Sequence, residues 1–259
     1  MSRRGALAAV GLALALGGAV CLAQEAPKLI APSPQPLHAW QVPPPQGAAE
    51  AYFVNLRNND KIETPFVVKF GLSGGWGLAP IAAPTGGKSG HHHLLVNREL
   101  PLDFKKPLPF NDQYIHFGKG QMETVINLAP GNYTLRLLLA DDKHLPHFVY
   151  SKPVSITVTK KNNVDPATLV KKGLSIGLAG EASKPPVRVQ FHASGLNVGH
   201  VMQQLKDTGH FRLTVAPTKG TPAVMDFTNG QTEVWLAPPP GERPTLAEGD
   251  RRRDRDHGR

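Results

Sequence analysis

Pro65-Phe66-Val67-Val68-Lys69-Phe70, with Ser73-Gly74 behind it, returns later in the chain as Pro186-Val187-Arg188-Val189-Gln190-Phe191 with Ser194-Gly195. Two more blocks recur in the same order. Ser89-Gly90-His91-His92-His93-Leu94-Leu95-Val96 matches Thr208-Gly209-His210-Phe211-Arg212-Leu213-Thr214-Val215, and Phe117-Gly118-Lys119-Gly120-Gln121-Met122-Glu123 matches Phe227-Thr228-Asn229-Gly230-Gln231-Thr232-Glu233. Three matches in one order mark an internal duplication, and each block is a short β-branched or aromatic run bounded by Gly, Pro or Asn, the signature of a strand.

Working outward, the first copy predicts strands at 51–55, 65–70, 91–96, 114–117, 122–128, 133–139 and 154–159. That count and spacing suit an immunoglobulin-like sandwich. The second copy repeats the scaffold blocks but has no match for Tyr133–Leu139 or Val154–Thr159. The expected fold is therefore all-β, two tandem immunoglobulin-like β-sandwich domains with the second incomplete. The division it implies is a Pro/Ala-rich linker over 24–48, a histidine-rich domain over 49–160, a linker over 161–172, a degenerate copy over 173–246 and a charged tail over 247–259.

Residues 1–23 read as a secretory signal: Arg3 and Arg4, an apolar run from Ala6 to Val20 too short for a membrane span, and a small-x-small cleavage pattern ending at Ala23. Cleavage there removes Cys21, the one cysteine, so any metal site in the mature chain must use imidazole and oxygen. The expected location is periplasmic or secreted, and no later stretch is apolar enough to span a membrane. The net charge of +9 shrinks to about +5 once the signal and the Arg/Asp tail are set aside. What remains forms no basic stripe, which argues against nucleic acid.

Histidine is concentrated in the first copy, at His91, His92, His93, His116, His144 and His147. In a seven-strand count, the start of the third strand, the turn after the fourth and the connection after the sixth all emerge at one end of the sandwich. Alternation along the strand puts His91 and His93 on one face and His92 on the other. The apolar set Phe211, Leu213 and Val215 of the second copy matches His92, Leu94 and Val96, so His92 points inward and His91 and His93 point outward or into the rim.

Several neutral imidazoles without a thiolate suit Cu, Zn or Ni better than Ca or Mg. The candidate ligands are His91, His93, His116, His144 and His147, with His92, Asp112, Asp141 and Asp142 able to complete or orient the shell. The competing account is that these histidines serve the fold through hydrogen bonds. Gln121 and Glu123 read as a solvated strand face, and Trp76 as cover for the core. Ala82 stands where a phosphate loop needs its first glycine, so Gly86-Gly87-Lys88-Ser89 is not one. No Gly-x-Ser-x-Gly elbow or other nucleophile arrangement is present, so an enzyme is not expected.

Pro65–Phe70, Gly90–Leu95, Pro109-Phe110-Asn111-Asp112-Gln113-Tyr114-Ile115-His116 through Gln121, Leu128-Ala129-Pro130-Gly131 and Leu138–His147 together resemble the bacterial family called domain of unknown function 4399. The resemblance covers about residues 50–160 and implies an exported domain, found alone or in tandem; it implies no activity. The second copy departs from it: His92, His93 and His116 become Phe211, Arg212 and Asp226. The functional expectation is an exported binding module for a Cu or Zn ion, or a small polar ligand, at the first copy's histidine end. The other class is a structural or adhesive envelope domain without a ligand.

Overall fold

A computed structural model describes residues 38–45, 47–101, 103–179, 185–216 and 221–238. Residues 1–23, read above as a secretory signal, most of the Pro/Ala-rich stretch and the charged tail lie outside these residues. All described residues belong to one compact unit within 36–259. The first half carries β1 (Gln41–Val42), β2 (Ala51–Phe53), β3 (Asp60–Thr64), β4 (Phe66–Leu72), β5 (Gly77–Leu78), β6 (Ser89–Val96), β7 (Tyr114–His116), β8 (Glu123–Ile126), β9 (Gly131–Ala140), β10 (Pro146–Tyr150) and β11 (Val154–Lys161). The second carries β12 (Gly173–Ala179), β13 (Val187–Ser194), β14 (Asn197–Val198), β15 (Thr208–Gly209), β16 (Phe211–Val215), β17 (Ala223–Phe227) and β18 (Glu233–Leu236). Among the described residues the only helical element is a turn at Pro166–Thr168, capped by the Asp165 side chain, and no helix is long and apolar enough to cross a membrane.

The first copy is a sandwich. One sheet runs β3-β11-β9-β6-β5, with β10 also on β9 and β7 on β6; the other is β2-β4-β8. Period-two alternation sends Leu94 and Val96 of β6, Leu135 and Leu137 of β9, and Ile156 and Val158 of β11 inward, onto Val68 and Phe70 of β4. Burying a side chain of this size contributes about 2 kcal/mol, which makes this layer the main local source of stability. His92 shares that phase, as expected, and lies 5.4 Å from Phe70, ring to ring.

The opposite face of β6 is not left to solvent. Leu95, Leu138 and Ala140 pack there with Leu108, under an excursion of the chain that also brings Leu100, Phe104 and Tyr114. This second, smaller core corrects the expectation for His91 and His93. They are 1 % and 0 % exposed, because the excursion between β6 and β7 and the turn between β9 and β10 roof the face on which they stand.

Strands β1, β3, β5 and β10 were not expected. Gln41 and Val42, read as part of a linker, pair with Leu236 and Trp235 at the edge of the second copy's sheet, β1-β18-β13-β12, and Trp40 beside them joins its core. The second copy's other layer is the pair β16–β17. The described residues contain no counterparts of β9 or β11 in this copy.

The duplication is visible in the pairing. In the first copy β5 runs parallel to the start of β6, Gly77 opposite Ser89; in the second β14 runs parallel to β15, Asn197 opposite Thr208. The copies then exchange these segments. Leu78 N–H donates to the Gly230 carbonyl and Val198 N–H to the Gly120 carbonyl, both at 2.8 Å. Gly120 and Gly230 have φ of 84° and 73°, and a Cβ on either would sit 2.0 Å or 2.1 Å from the partner copy's carbonyl oxygen. Glycine is required here by both backbone conformation and close approach.

A shared core fills the seam, joining Leu72, Leu78, Met122, Leu139 and Val149 to Val189, Phe191, Phe211, Phe227 and Val234. Glu123 belongs to this seam and not to a solvated face. Its carboxylate accepts from His192 Nε2 at 3.0 Å, Ser194 Oγ at 2.6 Å and Gly195 N at 2.9 Å. Burial opposes its ionisation, but those hydrogen bonds outweigh it and hold its pKa below the usual carboxylate value.

Candidate metal centre

Four of the five expected ligands converge. His91 and His93 stand two residues apart on β6 and so share its roofed face. His116 ends β7 directly opposite His93. His144 enters from the turn between β9 and β10. Each of the four offers a ring nitrogen within 4.8 Å of the other three. Ring centroids are 4.4 Å apart for His91–His93, 4.3 Å for His93–His116, 4.7 Å for His116–His144 and 5.1 Å for His91–His144. The diagonals are 6.5 Å for His91–His116 and 5.7 Å for His93–His144. A metal with nitrogen ligands at about 2.0–2.1 Å would require only a small inward movement of such rings.

The surroundings orient these rings. His116 Nε2 donates to the Pro109 carbonyl at 2.8 Å, which leaves Nδ1 as the acceptor nitrogen, and Nδ1 is buried with no partner. A metal-binding imidazole is held in this way, one nitrogen donating to a carbonyl and the other facing the ion. Phe110 covers the His116 ring at 4.6 Å. His144 has φ of 63°, unusual for a residue other than glycine. Its N–H donates to the Asp141 carbonyl and its own carbonyl accepts from Leu108 N–H, while Asp141 Oδ1 accepts from the N–H groups of Lys143 and Leu145. Asp141 thus builds the turn that presents His144.

His91 Nε2 and both nitrogens of His93 are buried and unpartnered, as are both nitrogens of His92 in the main core. Buried polar atoms are ordinarily paired, and among the described residues only at this group do such nitrogens from several rings converge within 4.8 Å. Burial first, and then the imidazoles of His144, His116 and His147, push the His91 pKa down to about 3. Burial followed by its imidazole neighbours holds His93 well below its usual value, and the nearby His91 carbonyl opposes this only weakly. For His116 burial also lowers the pKa, against the Pro109 hydrogen bond. Near neutral pH His91, His93 and His116 are therefore held uncharged with free lone pairs, the state a metal requires.

The remaining candidates do other things. His147 is outside the group: its Nε2 meets the Ser89 carbonyl at 3.1 Å and its ring lies against Trp76 at 4.8 Å. Asp112 is exposed and offers no ligand atom to the group. His92 packs in the main core, and burial lowers its pKa to about 3. Sequence reasoning missed Pro109 and Phe110, although both stand in the block that carried the family resemblance.

The second copy shows what replaces the site. His210, Arg212 and Asp226 occupy the positions of His91, His93 and His116, with Arg212 opposite Asp226 as His93 is opposite His116. Arg212 Nε and Nη2 reach the two Asp226 oxygens at 2.6 Å and 3.0 Å, and His210 Nε2 lies 3.6 Å from Asp226. No counterpart of His144 is present among the described residues.

Comparison with known proteins agrees with this division. No curated protein and no solved structure matches the chain. The family model described as Domain of unknown function (DUF4399) matches residues 68–159, nearly all of the first copy's sandwich, and again residues 189–252, part of the second. With more than half of its length matched in one full and one partial copy, the chain belongs to the DUF4399 family.

Proposed function

We propose that this is an exported metal-binding protein whose first copy holds one first-row divalent ion, Cu(II) or Zn(II), through His91, His93, His116 and His144. The observation that carries the reading is the convergence of four ring nitrogens within 4.8 Å, several of them buried and unpartnered. His92 in the main core also has unpartnered ring nitrogens, so it is the convergence of four rings that sets this group apart. The donor set is all imidazole, which favours borderline ions over Ca or Mg. The second copy keeps the scaffold and replaces the site with an ion pair, so one ion per chain is expected. Export rests on the basic and apolar residues 1–23, and a mature protein beginning at Gln24 in the periplasm or medium is the matching expectation.

The test is equilibrium dialysis of the purified chain against Cu(II) and Zn(II), followed by metal analysis. One bound ion in the wild type and none in His93→Ala supports the reading. No uptake, or uptake unchanged by that substitution, refutes it.

A further inference from the structure

The histidine group is closed on the side of β6, where His91 and His93 are buried, and open on the side of His116 and His144. Those two rings line a cleft of about 850 Å³ between the copies, whose far wall includes Leu205 and Lys206 of the second copy. A cleft of this size is in the range that holds a small organic ligand.

Its walls differ in chemistry. Ile81 and Phe110, on the first copy's side, are 42 % and 83 % exposed, apolar groups left open to the cleft. Lys119 and Lys206 also line it, and among the described residues neither makes an ion pair. The one carboxylate of the lining, Asp207, is held by Lys172 at 2.6 Å. The unpaired charge offered to a ligand is therefore positive. A divalent ion held by four neutral imidazoles adds to it and can accept a further ligand on its open side.

We infer that this cleft binds a small organic anion with an apolar body, its carboxylate turned toward the metal, Lys119 and Lys206 and its apolar part against Ile81 and Phe110. This rests on the metal reading above. Because the binding surfaces come from both copies, it also assigns a role to the second copy, which has no comparable histidine group among its described residues.

The full chain is loaded with Cu(II) and its metal content measured before any anion is added. It is then titrated with 4-phenylbutyrate, acetate and inorganic phosphate, following heat and the copper visible spectrum. The inference expects 4-phenylbutyrate to change the spectrum and to bind at least about tenfold more tightly than acetate or phosphate. It also expects the Lys119→Ala/Lys206→Ala protein to bind it about tenfold more weakly with copper content unchanged, and Phe110→Ala to lose the preference for the aryl acid over acetate. Equal binding by the wild type and the double-lysine protein, or an unchanged copper spectrum, overturns it. Phosphate binding as tightly as the aryl acid also overturns it, because the site would then read charge alone. Failure to load copper is seen at the first step and refutes the metal reading, taking this one with it.

Discussion

His93 and His116 face each other across β6 and β7, and the pair at the same place in the second copy is Arg212 and Asp226, joined at 2.6 Å. One scaffold position therefore carries either two imidazoles of the histidine group or an ion pair. This ion pair is open to solvent, which screens it, so the second copy gains little in stability from the exchange. The expected outcome is that His210→Ala leaves metal stoichiometry at one ion per chain while His91→Ala, at the matching position, abolishes tight binding. Metal analysis after dialysis of both variants checks this; loss of metal in His210→Ala would place the site elsewhere.

The left-handed backbone of His144 predicts a trade between stability and binding. A residue with a side chain costs about 1 kcal/mol more than glycine in this conformation. His144→Gly should therefore make the metal-free protein about 1 kcal/mol more stable in urea unfolding while weakening metal binding by at least about tenfold. Destabilisation of the metal-free variant would show that the imidazole serves packing instead.

The buried imidazoles fix the sign of the pH dependence. In the unfolded chain His91, His92 and His93 titrate near 6.5; in the folded chain burial holds His91 and His92 at about 3 and His93 well below its usual value. Between those limits the unfolded state binds more protons, so stability rises with pH and is lost as pH falls from about 6.5 toward 3. Each imidazole that stays neutral contributes a slope of about 1.4 kcal/mol per pH unit in that window. Urea midpoints of the metal-free protein at pH 7.5, 6.0 and 5.0 should fall in that order. A flat profile would mean that the buried rings are protonated in the native state.

Ring centroids form a quadrilateral with sides of 4.3–5.1 Å and diagonals of 5.7 Å and 6.5 Å, longer across than along its edges. Equal separations would suit a tetrahedral ion, and this flatter arrangement suits a tetragonal one. With the ordinary order of affinities in the same direction, Cu(II) should displace Zn(II) and bind at least about tenfold more tightly. Competition dialysis with both ions decides it, and a preference for Zn(II) would contradict the geometric argument.

The reciprocal pairing at Gly120 and Gly230, together with the shared core, predicts that the copies unfold as one. The wild type should show a single transition by calorimetry and by fluorescence. Gly120→Ala places a Cβ 2.0 Å from the Val198 carbonyl oxygen at a φ of 84° and should destabilise the whole protein by at least about 2 kcal/mol. A separate early transition for either half would show that the copies are independent domains.

The repeat was legible because its strands bury residues of fixed phase and its turns need Gly, so Val68, Phe70, Gly120 and their partners recur as residue types. The union of His91, His93, His116 and His144 was legible for a related reason: strand alternation and turn placement confine them to one region. What escaped depends on contacts distant in sequence. Nothing near His147 announces that Trp76 and the Ser89 carbonyl hold it aside, and nothing near Glu123 announces His192 and Ser194. The burial of His91 and His93 depends on a long excursion of irregular chain folding back over the sheet, which has no periodicity to read. The pairing of β1 with β18 joins opposite ends of the chain and has no local signal at Gln41–Val42.

The central claim is that four imidazoles of the first copy bind one ion, and electron paramagnetic resonance of the Cu(II)-loaded full chain tests it most directly. The predicted result is a single copper species with nitrogen couplings from four imidazoles, losing one set in His144→Ala and disappearing in the combined His93→Ala/His116→Ala protein. A spectrum dominated by oxygen ligands, or one that these substitutions leave unchanged, would contradict it.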